Sequence, residues 1–295
     1  LDDFWVVGGP SSPDLSARIS EQLRARLVLA ESKTFPDGES YIRIPEPYPP
    51  KHTVVVQTTS PPQDRNLIQL CLMADKLREM GSKVVAVVPY LAYARQHREY
   101  LPGEAVSIRY VAKMLESAGV VRLITIDIHN VEGLSYFTIP ANSLSAVPLL
   151  AEHLKTKLSG DKSIVVAPDE GARIRVETLA TQLDTDYLVL QKRRDRSSGE
   201  VVSDLVDEVR LDGRTAVILD DLVSTGGTIT KAAAVLKERG ASRIMVACTH
   251  ALLAEGAMEK MHAAGVEEFV ATDTIPGRYS SVSVATTVSD FLKRL

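Results

Sequence analysis

"VILDDLVSTGGT", residues 217–228, decides how the rest of this chain is read. Three apolar residues, Val217 to Leu219, run directly into two carboxylates, Asp220 and Asp221, and then into small hydroxyl-bearing and flexible residues. The preceding Thr215 and Ala216 extend the apolar run, and "GGTITKAAAVLKERG" continues with helical periodicity. That is a strand, a loop and a helix in succession. In open α/β sheets, ligands sit beyond the carboxyl ends of the strands, which is where both acids are expected. The loop from Ser224 to Thr228 lies at a helix N-terminus, whose N–H groups and dipole favour a phosphate. Gly226 and Gly227 let a ligand approach the backbone, while Ser224, Thr225 and Thr228 supply hydroxyl donors. Carboxylates beside a phosphate repel it unless something separates them. A sugar phosphate does so, with vicinal hydroxyls donating to Asp220 and Asp221 and the 5′-phosphate in the loop. An acidic strand end before an ordinary loop would explain the acids, but not the hydroxyls.

Working outward, β-branched runs alternate with helical patterns along the whole chain, predicting an α/β fold with largely parallel sheets. The strand candidates are "FWVVG", "TVVVQ", "KVVAVVP" and "RLITID", then "SIVVAP", "DYLVL", "TAVILD", "RIMVAC" and "EFVAT". Ser12 and Pro13 read as N-cap and first residue of one helix, and Gly81, Gly119, Gly240 and Gly265 as stops for four others. With 295 residues the chain has the size at which one core usually divides into two. "IPANSLSAVP" supplies the boundary, predicting domains over residues 1–141 and 142–295. "LESAGVVRLITIDIH" from Leu115 and "LKERGASRIMVACTH" from Leu236 share Leu, Gly, Arg and His at the same spacing. If this echo is a repeat, "VVAVVPYLAYARQ" pairs with "TAVILDDLVSTGG", and the first half lacks both the acids and the glycines.

Composition narrows the function classes. A net charge of −4 gives no broad basic surface, so nucleic acid is not an expected partner. No apolar stretch approaches bilayer-spanning length, and the acidic start "LDDFWVVGGP" has no secretory pattern, so no membrane role is expected. Cys71 and Cys248 read as buried thiols, which fits a cytoplasmic, reducing location. A Gly-x-x-x-x-Gly-Lys loop is absent, so P-loop nucleotide binding is not indicated.

"VILDDLVSTGGT" resembles the phosphoribosyl-diphosphate (PRPP) loop shared by type I phosphoribosyltransferases and ribose-phosphate pyrophosphokinases. Further stretches resemble the pyrophosphokinase family alone, and its archaeal branch in particular. "FPDGESYIRI" looks like that family's adenine-nucleotide segment, which binds across a subunit interface; this implies Phe35, Asp37, Gly38 and Glu39 as ATP contacts. Pro-Asp-Gly is also a strong turn signal by itself. "YLAYARQHREY" implies Arg95 and Gln96 as further ATP contacts. "TIDIHN" implies His129 as a ligand of the accompanying Mg2+, although Mg2+ prefers oxygen. "VVAPDEGARIR" carries Asp169 onto the family's pyrophosphate loop, as a second metal contact or an ordinary N-cap. It has Ala172 where the family often has a second glycine. "LQKRRDRSSGEV" resembles a loop that closes on the substrates, implying catalytic roles for Lys192 and Arg194.

The resemblance implies two tandem phosphoribosyltransferase-like domains, an N-terminal one binding ATP and a C-terminal one binding ribose 5-phosphate. It implies transfer of the β,γ-diphosphoryl group of ATP to the sugar's C1 hydroxyl, giving PRPP and AMP. It also implies self-association, at least as a homodimer, with the ATP site shared across subunits. The alternatives are a phosphoribosyltransferase that consumes PRPP and a non-catalytic regulatory subunit of the synthetase.

Overall fold

The computed structural model describes residues 4–158, 160, 162–194, 201–205 and 210–295, with the backbone alone at 191–194 and 201–205. The chain divides into two compact units. The first comprises Leu1–Ser145, Thr274–Pro276 and Ser283–Leu295, and the second Ala146–Asp273 with Gly277–Val282.

The first unit contains β1 (Phe4–Gly8), α1 (Pro13–Leu23), β2 (Arg26–Leu29), β3 (Glu31–Thr34), β4 (Ser40–Arg43), β5 (His52–Val56), α2 (Gln63–Glu79), β6 (Lys83–Val88), α3 (Ser107–Ser117), β7 (Val120–Ile126) and β8 (Ala141–Leu144). Its main sheet is parallel throughout, in the order β2-β1-β5-β6-β7-β8. β3 and β4 form a separate antiparallel hairpin that packs on α2 through β4.

The second unit contains α4 (Val147–Lys157), β9 (Ser163–Ala167), α5 (Arg173–Leu183), β10 (Asp186–Arg194), β11 (Val201–Leu205), β12 (Thr215–Val223), α6 (Gly227–Glu238), β13 (Arg243–Ala251), α7 (Ala257–Ala263), β14 (Val266–Thr272) and β15 (Ser280–Val282). Its order is β11-β10-β9-β12-β13-β14-β15, parallel except for β11 against β10. A last helix, α8 (Ala285–Leu292), returns to the first unit and packs on α1, where Gln22 Nε2 donates to Thr286 Oγ1 at 3.2 Å.

The nine apolar runs read from the sequence all form strands. They are nearly continuous because the central strands of parallel sheets are covered on both faces. In the second unit, Ile164, Val166, Ile218 and Val246 join one core with residues of α6 and α7. Their neighbours Val165, Ala167, Val217, Leu219 and Met245 join another with α4 and α5. The missed strands β2, β3, β4, β8, β11 and β15 are three to five residues long and lie at sheet edges or in the hairpin. With one side unpaired they need no apolar run. "ANSL", expected as linker, is the edge strand β8. The four glycine stops take positive φ just after α2, α3, α6 and α7. Pro13 opens α1 after Ser12, but the Ser12 hydroxyl does not cap that helix; it accepts from Thr58 N at 2.8 Å.

The two units repeat one topology. β2-β1-β5-β6-β7-β8 superposes in order and direction on β10-β9-β12-β13-β14-β15. The β6–β7 register shifts between Val84 and Val85, and the β13–β14 register shifts at the equivalent Ile244 and Met245. The repeat is offset by one strand from the echo in the sequence: β7 corresponds to β14, and β12 corresponds to β5. Helix–glycine–strand units recur along both halves, so spacing alone cannot assign their order.

Candidate active site

The chain order reverses direction across each sheet at one place. From β9 the chain goes outward to β10, then returns to β12 on the other side and continues to β13. This switch point leaves a crevice beyond the carboxyl ends of β9 and β12. β9 pairs with β12 only as far as Val166 with Ile218, while β12 runs on to Val223. Asp220 and Asp221 therefore lie inside β12, beyond its pairing with β9, rather than at its end as the sequence suggested. Asp169 follows β9 and starts a short 3-10 turn, where its Oδ1 accepts from Gly171 N at 3.0 Å.

Asp221 continues the face that carries Val217 and Leu219 under α5. There, Arg175 of α5 brings Nη2 to 3.6 Å from Asp221 Oδ2, and its Nη1 donates to Gly171 O at 3.3 Å. Arg175 was not singled out from the sequence. It stands in the first turn of α5, where the helix dipole disfavours a cation. That mismatch was the available signal.

Burial, and next to it the charge and hydrogen bond of Asp221, push the Asp220 carboxyl up to about 8; Asp169 pushes the same way. Burial, then Asp220 and Asp221, also raise the Cys248 thiol well above its ordinary value, leaving it unreactive.

Residues 224–226 form the turn into α6. Gly226 takes φ +73°, and a Cβ there would stand 3.1 Å from Met261 Cγ and 3.2 Å from Ala257 O of α7. Glycine is required on both counts. Among the described residues no side chain caps the first turn of α6, so the N–H groups at Gly227 and Thr228 face the loop without a side-chain acceptor. A phosphate is the kind of group that such N–H groups can bind.

In the first unit, Arg95 is exposed and Gln96 half-buried, on the loop after β6. Gln96 Nε2 donates to Glu104 Oε2 at 3.0 Å. His129 is exposed on the loop after β7. Its neighbour Asn130 contacts His97 of the Arg95 loop, with Nδ2 at 2.9 Å from His97 Nε2. The two loops are thus side by side. Phe35, Asp37, Gly38 and Glu39 form the exposed tip of the β3–β4 hairpin. Phe35 N donates to Glu39 O at 2.8 Å, Gly38 N to Phe35 O at 2.9 Å, and Glu39 N to Asp37 Oδ1 at 3.2 Å. The turn expected from Pro-Asp-Gly is therefore present. Lys33 Nζ lies 4.9 Å from the Phe35 ring.

Lys192 and Arg194 belong to β10 by their backbone, opposite Ser203 and Val201. Their side chains, on which the catalytic expectation falls, lie outside the described residues.

For Mg2+, the chemistry of the donors gives a split answer. Asp169 and the Asp220–Asp221 pair supply hard oxygens close enough to perturb one another, and a divalent cation relieves that repulsion. Among the described residues no three His, Cys, Asp or Glu side chains form a ready metal cluster. His129 offers nitrogen, which Mg2+ does not favour.

The described sequence matches the profile of the N-terminal domain of ribose phosphate pyrophosphokinase over residues 4–119 and that of the phosphoribosyl transferase domain over residues 136–282. A ribose-phosphate pyrophosphokinase of Methanopyrus kandleri is 42% identical over 291 residues, covering 98% of this chain and 99% of that protein. The chain belongs to the ribose-phosphate pyrophosphokinase family. A second relative of that name, from Sulfurisphaera tokodaii, is 40% identical over 280 residues, covering 95% of this chain and 96% of its own length. The crystal structure of phosphoribosylpyrophosphate synthetase from Mycobacterium smegmatis superposes with a TM-score of 0.88 at 25% identity, covering 99% of this chain and 98% of that one. The family's two-domain α/β architecture is the one described above.

Proposed function

We propose that this chain makes PRPP and AMP from ribose 5-phosphate and ATP. The carrying observation is the convergence of Asp169, Asp220, Asp221 and the uncapped N-terminus of α6 on one switch point, in a chain of this family. The α6 turn holds the 5′-phosphate through Ser224, Thr225, Gly226, Gly227 and Thr228. Asp220 and Asp221 accept from the ribose hydroxyls, which fixes the ring and leaves C1 exposed. Arg175 holds Asp221 and the 169–172 turn in register.

Arg95 and Gln96 hold ATP, with Phe35, Asp37, Gly38 and Glu39 on the adenine side. The hairpin tip is exposed and carries an aromatic ring and two carboxylates; we assign its partner site to a second copy of the chain, in at least a homodimer. Asp169 and His129 are the proposed contacts of Mg2+, Asp169 by donor chemistry and His129 by resemblance. When bound, the ion offsets phosphate charge and aligns the diphosphoryl group. The C1 hydroxyl attacks the β-phosphorus, and AMP leaves with the α-phosphate. Lys192 and Arg194 are assigned to neutralise the charge that develops on the transferring group. Positioning supplies most of the catalysis, so no dedicated base is required. A cytoplasmic setting suits two thiols without a disulfide and an ATP-dependent reaction.

A ³¹P NMR time course with ATP, Mg2+ and ribose 5-phosphate tests the reading. PRPP and AMP are the expected products. ADP would make the chain an ordinary kinase, and no turnover of ATP would overturn the assignment.

A further inference from the structure

We propose that His97 is a positioning residue for ATP, holding the loop of Arg95 and Gln96 against the segment that carries His129. This rests on the ATP-site reading above and adds a residue to it.

His97 is 6% exposed, whereas Arg95, Arg98, Glu99 and Tyr100 around it are exposed. A polar loop has little reason to bury one imidazole unless that ring holds something. Its partners lie on the segment after β7. Asn130 Oδ1 accepts from Glu132 N at 2.8 Å, which fixes the amide so that Nδ2 points to His97 Nε2 at 2.9 Å. Nε2 must therefore accept, and the ring proton resides on Nδ1. That nitrogen is buried and has no hydrogen-bond partner among the described residues. A buried unpartnered N–H is costly, so the fold tolerates a loss on one side of the ring to keep the contact on the other.

The same segment grips the loop once more. Tyr136 Oη donates to His97 O at 3.1 Å. The Tyr100 ring meets the imidazole edge-on, with centroids 5.9 Å apart. On the other side, Glu104 Oε2 accepts from Tyr100 N at 2.9 Å, Leu101 N at 3.1 Å and Gln96 Nε2 at 3.0 Å. Gln96 is thus set by Glu104, while the backbone that carries it and Arg95 is set by His97. Loss of the His97 bond frees Arg95, whose side chain is exposed, to sample orientations away from ATP. The consequence is an entropic cost of binding ATP, with no effect on the sugar site.

Geometry chooses the test. Glutamine at position 97 can place an amide oxygen where Nε2 stands; asparagine is too short, and leucine has no acceptor. For His97→Gln, KM for ATP stays within about threefold of the parent. For His97→Asn and His97→Leu it rises about tenfold, which is the worth of one buried hydrogen bond. KM for ribose 5-phosphate and the melting temperature of His97→Gln do not move, and equilibrium dialysis of ATP without ribose 5-phosphate reports the same ranking. Asn130→Leu reproduces the His97→Leu effect, and the double variant adds nothing further, which keeps the proposal testable if His97→Leu folds poorly.

An equal change in both KM values, or no difference between the glutamine and asparagine variants, overturns the positioning role. Failure of the underlying reading looks different: the parent chain then makes no AMP, or Arg95→Ala leaves ATP binding intact.

Discussion

The same strand order places a switch point in each unit, yet the two crevices are built in opposite ways. In the second unit the crevice lies between β9 and β12 and presents Asp220 and Asp221, then Gly226 and Gly227 at the start of α6. In the first unit the equivalent place lies between β1 and β5, and the chain leaves β5 as Gln57 and Thr58 before Pro61 and Pro62. Gln57 fills the first crevice. Its Oε1 accepts from Ser11 N at 3.1 Å and its Nε2 donates to Asn66 O at 3.3 Å. Ser11 Oγ and Ser12 Oγ close the same gap through Thr58 O and Thr58 N. At the helix start, α2 has Asp64 where α6 has Thr228, so the dipole that favours a phosphate in one unit is already neutralised in the other. A shared topology supplies the crevice, and a few side chains decide whether it holds a ligand or is closed by the protein itself.

Copying the closed helix into the open one gives the largest expected effect. Thr228→Asp sets a carboxylate against the 5′-phosphate and should raise KM for ribose 5-phosphate on the order of 100-fold, or about 3 kcal/mol. ATP binding without the sugar should stay unchanged in dialysis; unaltered sugar affinity would mean that α6 does not bind the phosphate.

Filling the closed crevice comes next. A Cβ at Gly9 would sit 2.2 Å from Gln57 Oε1 and 2.7 Å from Met73 Cε. Gly9→Ala should therefore cost about 1–3 kcal/mol in urea unfolding, with KM for ribose 5-phosphate untouched. If the sugar KM moves instead, the closed crevice takes part in sugar binding.

The acid pair gives a pH-dependent effect. The folded-state value of Asp220 is raised from 3.8 to about 8, so the native state holds the proton more tightly than the unfolded chain between those limits. Stability contributed by that protonation is present below the unfolded value and is lost as pH rises through about 8. In metal-free protein, Asp220→Asn should match the parent below pH 4 and melt higher above pH 8, by about 2–8 °C. The same variant should bind ribose 5-phosphate more weakly, since a carboxylate acceptor is lost. Parallel melting curves across that range would remove the strain assigned to the pair.

The smallest effect belongs to Thr58, the counterpart of Asp221. Its Oγ1 is buried without a hydrogen-bond partner among the described residues. Thr58→Val should leave stability within about 1 kcal/mol of the parent or raise it. A larger loss by calorimetry would mean that the hydroxyl is in use.

The sequence was legible wherever burial or local chemistry writes a pattern. Central strands such as "TAVILD" are apolar because both faces are covered, and Gly226 is glycine because its φ and the approach of α7 permit nothing else. The edge strand "ANSL" was read as linker because one unpaired side removes the need for an apolar run. Arg175 and His97 were passed over for a related reason. Each works through a partner distant along the chain, Asp221 for one and Asn130 for the other. Nothing in the local pattern of either residue names that partner.

By itself the sequence offered a sugar-phosphate chemistry in two acids and a small hydroxyl loop at a helix start, while its resemblance to the family pointed to ATP as the second substrate. The acids and the loop are properties of adjacent residues, set by which side chains can bond which groups. The tertiary structure alone decided the pairing of repeats, the offset of one strand, and the difference between an open and a closed crevice. Strand order is fixed by where long-range packing places each helix–strand unit, and units of nearly equal sequence can occupy any of those places. The acids could be read in isolation; their position at a switch point could not.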